Sequence, residues 1–167
     1  MEIGAGASYD GQFFQRLPFI LEIDAKALFF VVLLVKQIAA NCDVANSASD
    51  TVSVIEVATN TVSVTIPVED NPAGVAITPD GTRAYVTNTE SGTVSVIEVA
   101  SNTVIATIPV ELGPGGIFIT SDGTRAYVTT AAAVSVINVA SIAGEIPISV
   151  IATIPVGEVP VGLAITP

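Results

Sequence analysis

Carboxylates are the side chains best placed for chemistry in this sequence. Glu69 and Asp70 stand side by side after an apolar run, and Glu111 and Glu158 fall in the corresponding stretches further along. Hard cations take several such oxygens, so convergence of these four on one rim would make a weak calcium site. No EF-hand-type loop surrounds them, and the simpler expectation is a solvated acidic face. Asp80 and Asp122 each precede a glycine, with Arg83 and Arg125 just beyond. They read as turn formers with local arginine partners, worth under about 1 kcal/mol each. Tyr85 and Tyr127 read as packing residues whose hydroxyls reach solvent. Nucleophilic catalysis lacks its usual parts, because the 167 residues contain no histidine and a single cysteine. A serine or cysteine nucleophile then has no imidazole base, and zinc and haem lose their commonest ligands. Cys42 has no second cysteine for a disulfide and is expected to be a small packed residue. Gly113-Pro114-Gly115-Gly116 lacks the lysine of a phosphate-binding loop and reads as a linker turn. The sequence therefore assigns no catalytic residue, no metal ligand and no cofactor.

The elements that would carry these residues are β-strands. Half of the residues are hydrophobic and mean hydropathy is +0.71. From residue 51 onward the apolar residues are spread through runs of Val, Ile, Ala and Thr, as in sheets buried on both faces. The net charge of −11 comes from 16 acidic and 5 basic residues. Such a balance repels phosphate backbones, so nucleic acid is not an expected partner.

A repeat dominates the chain. NPAGVAITPDGTRAYV at 71–86 returns as GGIFITSDGTRAYV at 115–128, and TVSVIEVATNTVSVTIPV at 51–68 returns as TVSVIEVASNTVIATIPV at 93–110. Asp80 and Asp122, Arg83 and Arg125, and Tyr85 and Tyr127 are each 42 positions apart. A third, altered copy reads AVSVINVA at 133–140 and SVIATIPV at 149–156, with an insertion around Gly144 and Pro147 that predicts a longer loop. A fixed period of this size signals a repeat architecture. Each copy has four short strands: two flank the Asp-Gly turn, Thr93–Val96 alternates with period two, and Thr103–Ile108 follows the Ala100-Ser101-Asn102 turn. Pro109 closes the last strand, where an edge tolerates a missing N–H. Four strands per repeat is the pattern of a β-propeller blade.

AYVTN at 84–88, within ITPDGTRAYVTN and followed by TVSVIEVASNTVIATIPV, resembles the YVTN-type β-propeller repeat of bacterial and archaeal surface-layer and other surface proteins. The resemblance covers roughly residues 44–167; the second copy departs from it with AYVTT at 126–130. It implies a fold and a cell-surface or extracellular setting, and carries over no active site. CDVAN at 42–46 lies 42 positions before the AYVTN strand and reads as a decayed second strand, with Asp43 where the repeat has tyrosine.

With the strands of a blade lettered A to D outward from the axis, the chain runs BCD, ABCD, ABCD, A. The expected organisation is a non-repeat segment 1–40 and a propeller region 41–167. The latter divides into a partial blade 42–68, blades 71–110 and 113–156, and a terminal strand 161–167. Closed propellers have four to eight blades, so the array is incomplete. It is expected to stand as an open arc, to be part of a longer protein, or to self-associate through unpaired blade edges, for instance beside Val52–Val57.

Within residues 1–40, Met1–Gly11 is expected to be a flexible start. The uncharged run Ala27–Val35 is too short for a membrane helix, which needs about 20 residues. It fits a signal-peptide core in length, but its flanks carry the wrong charges. Ala39–Cys42 matches a lipoprotein box poorly because Asn41 replaces a small residue. A helix over 25–40 covering an apolar blade face is the favoured reading.

The function expected from these residues is a non-catalytic surface or extracellular binding scaffold with an unspecified protein or surface ligand. The alternatives are a truncated remnant of a longer propeller and, behind it, a propeller enzyme of lactonase type.

Overall fold

A computed structural model describes residues 41–139, 148–160 and 162–165, which lie in the compact unit Ala40–Pro167. The expected N-terminal segment and its helix, and the loop around Gly144 and Pro147, fall outside the described residues. Eleven strands are described: β1 (Asn41–Asn46), β2 (Thr51–Glu56), β3 (Thr61–Pro67), β4 (Pro72–Ile77), β5 (Arg83–Asn88), β6 (Thr93–Glu98), β7 (Thr103–Pro109), β8 (Ile117–Ile119), β9 (Arg125–Thr129), β10 (Ala133–Asn138) and β11 (Ser149–Pro155). They form three antiparallel sheets in the orders β1-β2-β3, β4-β5-β6-β7 and β8-β9-β10-β11. This is the all-β partial propeller anticipated from the repeat, in the phase BCD, ABCD, ABCD.

Register repeats with the sequence. Asn41 faces Glu56 in the first sheet as Arg83 faces Glu98 in the second and Arg125 faces Asn138 in the third. Each outer strand carries one extra residue, Ser63, Ile105 or Ile151, at the register shifts beside Val54, Val96 and Val136. The strands join by tight turns that need positive φ. Gly81 and Gly123 supply 69° and 68° after their aspartates, and Asn60 and Asn102 sit at 54° between the last two strands. Glycine and asparagine enter this region more cheaply than other residues.

Packing explains why Val96 and Ile97 are both apolar. Successive strand residues point to opposite sheet faces, and here both faces are covered. Ala84, Val86 and Ile97 join Val52, Val54 and Ile66 in a core between the first and second sheets. Tyr85, Val94, Val96 and Ile108 join Ile119, Ala126, Val128 and Ile137 in a core between the second and third. Full burial of each Val or Ile contributes roughly 1.5–3 kcal/mol.

Three expectations are corrected by this packing. The Tyr85 hydroxyl does not reach solvent: the whole residue is buried and its oxygen has no hydrogen-bond partner. Burial pushes its pKa up, and the Arg83 guanidinium opposes that rise. Cys42 is exposed rather than packed, because it holds the position of Ala84 on a face that no described sheet covers. Val52 and Val54 are not beside an open edge; β1 pairs with β2 there, and β1 itself is outermost among the described strands. Residues 162–165, within the expected terminal strand 161–167, belong to no sheet among the described residues.

Candidate functional site

The turns at one rim of the first two sheets border a shallow, open cleft of about 450 Å³ lined by Ser47, Ala48, Asp50, Asp70, Asn71 and Glu90. Three connections meet there: the β1–β2 turn, the β3–β4 link and the β5–β6 turn. Asp50 adopts a φ of 53° where the next repeat has Gly92 at 64°, and Asn71 one of 57° where the next has Gly113 at 70°. Short polar side chains hydrogen-bond locally and tolerate this conformation.

Hydrogen bonds then lock the rim. The Asn71 backbone N–H donates to Asp50 Oδ1 at 2.9 Å, and its side-chain Nδ2 donates to Glu90 Oε1 at 3.2 Å. The Thr89 N–H donates to the Asn71 carbonyl at 2.9 Å, and the Asp70 N–H to Ser91 Oγ at 2.7 Å. Below the turns the same amide ladder occurs twice. Asn46 Nδ2 reaches Thr51 Oγ1 and Ser53 Oγ, as Asn88 Nδ2 reaches Thr93 Oγ1 and Ser95 Oγ. The Oδ1 of Asn88 is buried without a partner.

Three carboxylates and no basic residue line this cleft, so it favours ligands rich in hydrogen-bond donors and disfavours anions. Of the four carboxylates singled out in the sequence, only Asp70 lines it. Glu111 instead accepts a long 3.4 Å bond from Thr130 Oγ1, and the structure does not gather Glu69, Asp70, Glu111 and Glu158 at one point. Among the described residues no group of three or more His, Cys, Asp or Glu is placed to hold a metal ion. Asp80 and Asp122 are turn formers as expected, but their partners are threonines. Asp80 Oδ1 accepts from Thr78 Oγ1 at 2.6 Å, the Thr82 N–H at 3.0 Å and Thr82 Oγ1 at 2.9 Å. Asp122 is held in the same way by Thr120 and Thr124. The threonine bonds, with a weaker pull from Arg83 or Arg125, hold both carboxyls below the usual range. Sequence reading missed Asp50, Asn71 and Glu90; the signal was the pair of departures from glycine at positions 50 and 71.

The model of the YNCE-like β-propeller family matches residues 24–166. The chain belongs to the YNCE-like β-propeller family. No curated protein sequence matches it. Among solved structures, Kuenenia stuttgartiensis hydrazine synthase is similar at 30% identity and a TM-score of 0.65, over 71% of this chain and 33% of that one. Dihydro-heme d1 dehydrogenase NirN, in complex with DHE, is similar at 16% identity and a TM-score of 0.60, over 72% of this chain and 25% of that one. A proposed 6-phosphogluconolactonase from Bacteroides uniformis is similar at 17% identity and a TM-score of 0.66, over 76% of this chain and 41% of that one. The chain thus spans well under half the length of these neighbours, and the last two show the fold alone. Together they overturn the expectation of a non-catalytic surface scaffold, because the YNCE-like fold is shared here with enzyme-related propellers.

Proposed function

We propose that this chain forms the ligand-facing rim of an enzyme-type β-propeller, whose cleft at Asp50, Asp70, Asn71 and Glu90 takes a small donor-rich molecule, an amine or a polyol. In this role the chain supplies wall and rim, and the reacting groups come from elsewhere in the protein. Its lack of histidine and its single cysteine, exposed at Cys42, support that division. The observation that carries the proposal is the locked acidic rim: Asn71 bridges Asp50 and Glu90 across two sheets and leaves carboxylate oxygens around the cleft. The AYVTN stretch supports a YVTN-type repeat within the family. The net charge of −11 argues against nucleic acid and phosphosugar ligands.

Calorimetric titration of the full chain with a diamine, a neutral sugar lactone and 6-phosphogluconate tests this. The diamine and the lactone are expected to bind and the phosphosugar not to. Glu90→Gln should weaken diamine binding roughly tenfold, the size of one lost charged contact. Preferential binding of the phosphosugar, or diamine binding indifferent to Glu90→Gln, would overturn it.

A further inference from the structure

The amide ladder that secures the first two sheets is broken in the third. Asn46 and Asn88 hold equivalent positions, and each directs its side-chain Nδ2 to a serine hydroxyl at 2.9 Å, Ser53 Oγ in the first sheet and Ser95 Oγ in the second. Thr130 lies 42 positions after Asn88, and the turn that follows is two residues shorter, which brings Ser135 to the place of Ser95. Register agrees with this assignment. Ser53 faces Val44 and Ser95 faces Val86 across their strand pairs, as Ser135 faces Val128.

Threonine does not make the asparagine's contact. Its hydroxyl stands one bond nearer the backbone than Nδ2 and carries one proton where the amide carries two. Thr130 Oγ1 donates to the Ala133 carbonyl at 3.1 Å, and Glu111 Oε2 stands further off at 3.4 Å, long for such a bond. Ser135 is left 1% exposed with an Oγ that meets no partner. Successive strand residues alternate between faces. Ser135 is two residues from Ile137 and opposite Val128, and both of these belong to the core shared with the second sheet. The orphaned hydroxyl therefore sits in the seam between the second and third sheets. Interiors supply such a group with a partner, because leaving it unpaired is costly.

We propose that an ordered water molecule takes the place of the missing amide and joins Ser135 to Thr130 and Glu111. The group it replaces is an NH2, which water matches in size and in offering two protons. The Ser135 hydroxyl donates to the water oxygen. The water donates one proton to the free lone pair of Thr130 Oγ1 and the other to the Glu111 carboxylate, while Thr130 keeps its own proton on the Ala133 carbonyl. Three hydrogen bonds are the usual complement of a buried water. The site lies apart from the rim cleft of the first two sheets and is independent of what that cleft takes.

The sign of one substitution tests this. Deleting a hydroxyl that has no partner leaves the folding equilibrium constant unchanged or raises it, whereas deleting one held by water lowers it. Ser135→Ala should lower that constant about fivefold in urea unfolding followed by circular dichroism. Thr130→Val removes one anchor of the water, and in that background Ser135→Ala should lower the constant by less than about twofold. Water-to-amide NOE spectra of the isotope-labelled full chain read the water itself. A cross-peak between water and the Ser135 amide is expected in the parent. It should vanish in Thr130→Asn, whose amide occupies the water's place while the serine hydroxyl is retained. A neutral or stabilising Ser135→Ala, or an equal loss in both backgrounds, overturns the proposal. So does a parent chain without the cross-peak, or one whose cross-peak persists in Thr130→Asn.

Discussion

Replacing Gly74 by alanine places a methyl group in the seam between the second and third sheets. A Cβ built at Gly74 lies 2.5 Å from the Gly115 carbonyl oxygen, 3.1 Å from Thr87 Oγ1 and 3.3 Å from Ile117 Cγ2. The nearest of these is backbone, so the sheets themselves must separate. Thr87 is the clamp at this point: it is fully buried, its hydroxyl donates to the Gly115 carbonyl at 2.7 Å and its oxygen accepts the Gly74 N–H at 2.8 Å. Overpacking costs about 1–3 kcal/mol and each of the two strained hydrogen bonds about 0.5–1.5 kcal/mol, so Gly74→Ala should destabilise by roughly 2–6 kcal/mol. Gly157 has no atom within 4 Å of its built Cβ, and Gly157→Ala should stay within about 0.5 kcal/mol of the parent. Urea unfolding followed by circular dichroism gives both values, with an unchanged slope showing that the same surface is exposed. Thr87→Val should couple with Gly74→Ala, so that the double variant loses less than the sum. Equal stability of Gly74→Ala and Gly157→Ala would refute the close approach of the two sheets.

Val159 has a φ of 51°, a conformation that a branched Cβ resists and that Asn71 and Gly113 occupy at the matching positions; Val159→Gly should stabilise by about 1 kcal/mol in the same urea assay. The folded-state pKa values of Asp80 and Asp122 lie below the usual 3.8. Their contribution is therefore present above that value and is lost as pH falls through the lowered ones; Asp80→Asn with Asp122→Asn should flatten the acid limb of a urea-midpoint profile. Asp43 runs the other way, because burial raises its pKa. Its ionised form is disfavoured in the folded chain, so Asp43→Asn should stabilise near neutral pH, and the gain should vanish as pH falls below the usual 3.8.

Much of the fold was legible because the repeat is its own alignment. The match of TVSVIEVA at 51 and 93 placed β2 and β6 in the same role, and CDVAN marked β1 although Asp43 had replaced the tyrosine. The Asp-Gly turns were legible from local chemistry alone. The rim cleft was not, because it depends on bonds between sheets: nothing in the sequence says that the Asn71 N–H meets Asp50, 21 residues earlier. Pairing each aspartate with its nearby arginine misjudged the turns, since threonine hydroxyls two residues on either side reach Asp80 first. The Tyr85 hydroxyl was misplaced for a similar reason. Its burial comes from the third sheet, which a reading of single strands does not weigh. The expectation of a non-catalytic surface scaffold rested on the resemblance of the repeat and on the absence of histidine, and the fold's enzyme-related relatives corrected it.

The central claim is that consecutive residues of one strand serve two separate inter-sheet cores. Methyl NOE spectra of the isotope-labelled chain test it most directly. Two networks are predicted, one joining Ile66 with Val86 and Ile97, the other joining Val94, Val96 and Ile108 with Val128 and Ile137. A single merged network, with Ile97 and Val96 methyls contacting the same partners, would contradict the stacked-sheet account.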